Sequence, residues 1–325
     1  MAPIPQGTAL PSPRRRGDRL VALWAVALLA LSSCGAREIP PVPHDDRPTV
    51  VVTDATGAKL TIHQPVRRIV TTVPGLTETV IALGMGSALV AVGEADTGIP
   101  EVARLSRIRV FPGISAEALA QYSPDLVLVD PTFSPRDIEP LRARFPVFAS
   151  DSRSLDGLER TFRRLGEALG RKGDADRLVA ELGLARVDAS FRAREMSKGR
   201  PKPRALLLSE AEPLNVLGPG SLLDDMLRFC GVVNIAADIG RPSGALSSEK
   251  IRERAPDWIL VAGGTFSDSL RTTWADVPAV KNGRIADATA NDLVRAGPRT
   301  AKALRRLWNV LWGLLPPEAL GKEER

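Results

Sequence analysis

"ISAEALAQYSPDLVLVD" (Ile114–Asp130) and "LSSEKIRERAPDWILVA" (Leu246–Ala262) align without a gap and share Ser, Glu, Pro, Asp, Leu and Val at matching positions. Each reads as a Ser-capped helix start, a stop at Pro-Asp and an apolar strand. Ser115 and Ser247 are the expected caps, which places Glu117 and Glu249 in the first helical turn. The same helix-to-strand unit in both halves of the chain predicts two internally related lobes.

The neighbouring sequence extends this pattern. Upstream, "RRIVTTVPGLTETVIALGMGSALVAVG" predicts a strand over Arg68–Thr72, a break at Pro74–Gly75, and a helix from about Thr77. Glu78 is expected in the first turn of that helix, and Gly84 at its end. A helix over Ala116–Tyr122, strands at Leu126–Asp130 and "RFPVFAS", and a leading hairpin around "DATGAK" complete this half. Strands alternating with helices indicate a parallel, doubly wound sheet. From Leu155 to Lys198 the chain is charged and helix-favouring. Leu178, Val179, Leu182, Leu184 and Val187 recur at helical spacing, and a helix over Asp174–Lys198 would be about 37 Å long. The alternation then resumes with "RALLLSE", "GPGSLLDDMLRFCG", the irregular "VVNIAAD", the second repeat, "GRIADAT" and a closing helix. That last helix aligns Leu304, Leu307, Trp308, Leu311 and Trp312 on one core face. The expected class is α/β: two similar doubly wound lobes with parallel sheets, joined by one long backbone helix.

The N-terminus reads as an address rather than as fold. Arg14, Arg15, Arg16 and Arg19 precede the apolar run Leu20–Leu31, which is too short to span a bilayer. "LSSC" follows, ending at Cys34, and resembles a bacterial lipobox in which the signal is cut and the thiol acylated. The expected divisions are a signal peptide (1–33), a Pro-rich tether (34–48), an N-terminal lobe (49–153), a helical link (154–200), a C-terminal lobe (201–315) and a tail (316–325). Cleavage removes four Arg and one Asp and takes the formal charge from +6 to +3. With no Lys/Arg tract, nucleic acid is not an expected partner.

Catalysis is not expected either. "LGMG", "GPGS" and "AGG" form neither a phosphate loop nor a dinucleotide fingerprint. Cys230 reads as a core thiol with no His to activate it. Asp224 and Asp225 face different sides of a helix. Only His44 and His63 are present, so no metal cage or cofactor is expected.

Together these segments resemble the helical-backbone (class III) periplasmic substrate-binding proteins, which feed ABC importers of cobalamin, haem and ferric siderophores. "FPGISAEALAQYSPDLVLVD", "NVLGPGSLLDDMLRFCGVVNIAAD", "AVKNGRIADAT" and "RAGPRTAKAL" carry the resemblance, which covers about Val50 to Leu314. It implies that Glu117 and Glu249, one per lobe, dock on arginines of the importer's transmembrane subunits. It further implies a monomer, anchored by lipid on the extracytoplasmic side of the cell membrane or outer membrane, with a small-molecule ligand between the lobes. The loops expected to line that cleft contain Thr72, Asp96, Phe111, Asp130, Asn215, Arg241, Ser243, Phe266 and Arg295. Aromatic content of 4% and a single tyrosine, Tyr122, depart from the aromatic-rich cleft of cobalamin binders. A lipid-anchored scaffold or sensor that keeps the fold without an importer, or an importer component for another small ligand, is the alternative reading.

Overall fold

The computed structural model describes residues 46–110, 113–130, 133–210, 214–289 and 291–321. The signal segment, Cys34, most of the tether, Phe111 and Glu212 lie outside these residues. β1 (Thr49–Thr53) and β2 (Lys59–His63) form the antiparallel hairpin expected around "DATGAK". Asp54, 1% exposed, organises its turn. One carboxylate oxygen accepts from the Thr56 N–H (2.9 Å) and Ala58 N–H (3.1 Å). The other accepts from the Ala149 N–H (3.0 Å) and from the Arg142 guanidinium, so the hairpin is pinned to the first lobe.

β3 (Ile69–Thr71), β4 (Leu89–Gly93), β5 (Ser106–Ile108), β6 (Leu126–Val129) and β7 (Val147–Ala149) form the first lobe's sheet in the order β5-β4-β3-β6-β7. All its pairings are parallel. In the second lobe, β8 (Arg204–Glu210), β12 (Trp258–Val261) and β13 (Ile285–Asp287) are parallel neighbours. Here the expectation of a parallel sheet needs correction. β9 (Asn215–Leu217) runs antiparallel to β8, and β11 (Ser243–Ala245) antiparallel to β9. "VVNIAAD", read as an irregular link, contributes β10 (Val233–Asn234) alongside the start of β8. β9 follows β8 through a short loop and so can only pair antiparallel with it, because a parallel return needs a crossover of a dozen residues or more.

Central strands are buried on both faces, which explains the unbroken apolar runs LVLV and WILV. Leu126 and Leu128 face a core shared by both lobes, while Val127 and Val129 face the first lobe's outer core. Leu260 and Ile259 divide in the same way in the second lobe. Arg47–Arg325 is one compact unit and holds these cores itself.

The repeats owe their shared residues to one clip. The Ser115 side chain accepts from the Ala118 N–H at 3.0 Å, and Ser247 from the Lys250 N–H at 3.3 Å. A left-handed residue stands just before each Pro, Ser123 (φ 40°) and Ala255 (φ 43°). These are the only non-glycine residues with positive φ among those described. The Asp after the Pro then bonds to the start of its lobe's first strand. Asp125 accepts from the Arg67 and Arg68 N–H groups at 2.8 and 3.0 Å, and Asp257 from the Arg204 N–H at 2.9 Å. The clip sets the register of β6 beside β3 and of β12 beside β8.

Helix boundaries bring two corrections. α1 spans Pro74–Ala82, so Pro74 is not a break but the first helical residue, where a missing N–H costs nothing. Glu78 consequently sits mid-helix rather than in the first turn. α2 (Ala116–Ala120) stops short of Tyr122, and α3 (Pro135–Arg142) and α4 (Leu155–Ala168) follow. The backbone helix α5 runs Lys172–Met196, 25 residues and about 37 Å. Its buried face is Ala175, Leu178, Val179, Leu182, Ala185, Ala189 and Ala193. Leu184 and Val187, expected on that face, are exposed. Small alanines meet the lobes because they let helices approach closely. α6 (Leu222–Phe229), α7 (Ser248–Arg254), α8 (Asp268–Thr273), α9 (Pro278–Lys281), α10 (Asn291–Val294) and α11 (Thr300–Leu311) complete the chain. Leu304, Leu307, Trp308 and Leu311 of α11 are buried as expected, and Cys230 is fully buried with its thiol pKa pushed up by burial.

Candidate functional site

A cavity of about 550 Å³ opens between the lobes. The first lobe contributes the loop and helix start after β3 (Val73–Leu76), Asp130 after β6, and Ser152 and Arg153 after β7. These loops follow the carboxyl ends of strands on either side of the point where strand order reverses, the usual ligand position in an open α/β sheet. The second lobe contributes Leu217, the start of α6 (Gly220–Leu223), Pro242, Ser243 and the segment Leu293–Ala296.

The walls are apolar with a few polar groups, as ligand pockets of roughly 300–1,000 Å³ are. Ser152 Oγ donates to Asp130 Oδ2 at 2.9 Å and fixes that carboxylate. Ser221 caps α6 by accepting from the Asp224 N–H at 3.3 Å, as the sequence implied. Asp224 and Asp225 serve structure: Asp224 accepts from Asn234 Nδ2 (2.8 Å), and Asp225 from the Leu155 N–H (2.8 Å). Arg153 is exposed at the cavity and makes no ion pair among the described residues.

Below the cavity the lobes are latched together. Glu78 of α1 accepts from Arg299 Nε (3.2 Å) and Nη2, and Arg295 Nη1 lies 3.7 Å from it. Beside this latch the backbones nearly touch, since a Cβ on Gly75 would come within 2.1 Å of the Ala296 carbonyl oxygen. Gly75→Leu is therefore expected to part the lobes and weaken ligand affinity at least about tenfold, about 1.4 kcal/mol. Titration together with small-angle scattering checks this; wild-type values of both would contradict it.

Asp96 is fully buried next to the latch, and neither carboxylate oxygen has a hydrogen-bond partner. Burial pushes its pKa up; the nearby Thr77 hydroxyl and the Arg107 and Arg295 guanidiniums oppose that, while Glu78 adds to it. The fold thus holds the neutral acid better than the unfolded chain does. This contribution is complete below the ordinary carboxylate pKa of about 3.9 and is lost as pH rises through the raised value. Asp96→Asn should accordingly raise the melting temperature at neutral pH. Its advantage should vanish near about pH 4. A difference that does not change with pH would rule out burial of the charge as the cause.

Asp130, Ser243 and Arg295 line the cavity. Thr72 lies buried behind it, its Oγ1 without a hydrogen-bond partner. Asn215 sits half-buried in β9, away from the lining. Arg241 turns back on the chain, such that a Cβ on Gly244 would come within 2.5 Å of its Nε. Phe266 belongs to the second lobe's outer core, 5.8 Å from the Trp274 ring, with Arg271 over its face. Glu117 is exposed and bonded to Arg144 at 2.7 Å, whereas Glu249 is exposed without an ion pair among the described residues. Arg153 and the apolar second-lobe wall escaped the sequence reading, because adjacency across lobes leaves no local pattern. Among the described residues no three His, Cys, Asp or Glu side chains converge as metal ligands, and no helix is long and apolar enough to cross a membrane.

A profile of the periplasmic binding protein family matches residues 69–291, spanning both lobes and the helix between them. The chain belongs to this family. Its relatives include an uncharacterized ABC transporter substrate-binding lipoprotein, YvrC, of Bacillus subtilis (strain 168). It is 26% identical over 307 residues, covering 88% of this chain and 95% of that protein. Among solved structures, the periplasmic heme-binding protein RhuT of Roseiflexus sp. RS-1 superposes with a TM-score of 0.66 at 30% identity, covering 76% and 98% of the two chains. The periplasmic vitamin B12-binding protein BtuF of Vibrio cholerae gives 0.66 at 25% identity, covering 76% and 97%. This is a family of substrate-binding proteins rather than enzymes; its members serve ABC transporters, so a small ligand and a transporter partner come with membership.

Proposed function

We propose that this periplasmic binding protein is held on the extracytoplasmic side by a lipid on Cys34. In this reading it delivers an iron-chelate or corrinoid-type ligand (a ferric siderophore, haem or cobalamin) to an ABC importer, docking through Glu117 and Glu249. The inter-lobe cavity carries this reading: an apolar chamber of about 550 Å³ with Arg153 exposed at its wall suits an amphipathic ligand with an anionic edge. The relatives named for heme and vitamin B12 support the same ligand class. Arg153 would grip a carboxylate or a catecholate oxygen by charge-assisted hydrogen bonds, worth about 1.5–3 kcal/mol.

Calorimetric titration of the Arg47–Arg325 unit with haem, cobalamin and ferric catecholate and hydroxamate siderophores tests the reading. One of them should bind saturably at about micromolar Kd or tighter. Arg153→Ala should then weaken that ligand about 10–100-fold without changing the fold. No heat from any of them, in a folded sample, would overturn the assignment.

A further inference from the structure

The second lobe carries a basic groove at the end of its sheet opposite the cleft. β8, β12 and β13 run parallel and begin at Arg204, Trp258 and Ile285. A groove of about 480 Å³ lies across these amino ends, whereas the cleft takes Leu293–Ala296, which follows the carboxyl end of β13. Arg200, Lys202, Arg204 and Arg284 line the groove, exposed and without an ion pair among the described residues. Asp257, the one acid in the lining, is half-buried, and its Oδ2 accepts from the Arg204 N–H at 2.9 Å. Four cations against one carboxylate leave the groove a net +3, as much as the whole mature chain carries. The remaining formal charges therefore sum to zero, and the excess is concentrated here. Pro201 and Pro203 restrict the residues before them, Arg200 and Lys202, to extended backbone, so both cations are displayed at little entropic cost. Gly313 also lines the groove, and the two residues after it, Leu314 and Leu315, are 61% and 38% exposed. An apolar pair beside unpaired cations matches a bilayer surface, where anionic headgroups lie over acyl chains. A soluble anion would leave the two leucines unaccounted for.

We propose that this groove rests on the anionic headgroups of the membrane surface, with Leu314 and Leu315 entering the boundary beneath them. Arg47 lies 13 residues beyond Cys34, at most about 45 Å of extended chain. A lipid on Cys34 would thus keep the groove within reach of the bilayer and make a weak contact effective. This orienting role rests on the anchor in the proposed function; the surface chemistry does not. In this pose the cleft, at the other end of the strands, is turned from the bilayer and open to incoming ligand. Glu249 stands in the first turn of α7, at the far end of that helix from Asp257. Resting on lipid and docking on the importer are therefore alternative poses of one tethered molecule.

Co-sedimentation of the Arg47–Arg325 unit with vesicles of phosphatidylglycerol and phosphatidylcholine tests the contact. This unit lacks Cys34, so neither acylation nor the identity of the cleft ligand enters the readout, and failure here would leave the proposed function standing. The unit should bind equimolar mixed vesicles but not pure phosphatidylcholine, and should lose that binding as salt rises from about 0.05 to 0.5 M. Each basic residue near an anionic surface adds about fivefold to partitioning, so Arg200→Gln with Lys202→Gln should weaken binding about 25-fold. Lys59→Gln with Arg104→Gln removes the same charge from exposed sites in the hairpin and the first lobe, and should change binding less than about threefold. Leu314→Ser with Leu315→Ser should weaken it at low salt without altering its salt dependence. No binding to the anionic vesicles, equal binding to neutral ones, or equal loss in the two charge-removing variants would overturn the proposal. So would saturable binding of inorganic phosphate in the groove without vesicle binding.

Discussion

Uptake is expected to fall to background when Glu117 and Glu249 are both reversed to arginine, with ligand affinity unchanged. The effect is large because the two carboxylates stand for the whole charge recognition by which each lobe would dock. Glu117 already bonds to Arg144 at 2.7 Å, with 78% of its own side chain exposed. Such a pair is worth at most about 1 kcal/mol, so Glu117 can exchange it for an importer arginine at little cost. Reversal would set two like charges against the importer's arginines, a repulsion of several kcal/mol at the contact. The fold should survive. Ser115 and Ser247 keep both caps, and each first-turn carboxylate contributes only about 0.3–1 kcal/mol to its helix. Complementation of cells lacking the protein, beside titration of the purified variant, separates the two effects. Undiminished uptake would sink the docking assignment; loss of both uptake and affinity would point to misfolding instead.

Asp54→Ala should cost about 3–5 kcal/mol of stability, the range for removing one partner of a buried ion pair. Its side chain is inaccessible to solvent, while that of Arg142 is 19% exposed. Removing the carboxylate strips the Thr56, Ala58 and Ala149 N–H groups of their acceptor and leaves the mostly buried Arg142 with only the Thr56 hydroxyl and the exposed Glu139 as partners. Against a total stability of about 5–15 kcal/mol this is a large fraction. Denaturant midpoints would show it, and a shift equivalent to less than about 1 kcal/mol would mean that the hairpin contributes little. Asp54→Asn keeps the shape and part of the hydrogen bonding, so its cost should be smaller.

The sequence is legible wherever the physics is local. Capping by Ser115, Ser221 and Ser247 depends on a side chain and an N–H three residues away. The start of β6 at Leu126 likewise follows from the Pro-Asp before it, and the long helix runs Lys172–Met196 where periodicity predicts Asp174–Lys198. Glu78 shows the limit. A carboxylate near a helix start reads as dipole complementation, yet its partners are Arg295 and Arg299, more than two hundred residues away. Phe266, expected in a loop facing ligand, is laid against Trp274 by the return of the chain.

The sequence by itself determined the two-lobe plan. The duplicated Ser-x-Glu and Pro-Asp positions encode a cap, a left-handed corner and an aspartate clip, each closed either within a few residues or by one strand start. Tertiary structure alone decided which residues meet between the lobes, that the second sheet carries antiparallel edge strands, and that Leu184 and Val187 face outward. Periodicity specifies that a helix has an apolar side. It cannot rank two such sides, and here close packing chose the alanine-rich face of α5 with Leu178, Val179 and Leu182, leaving Leu184, Val187 and Phe191 exposed.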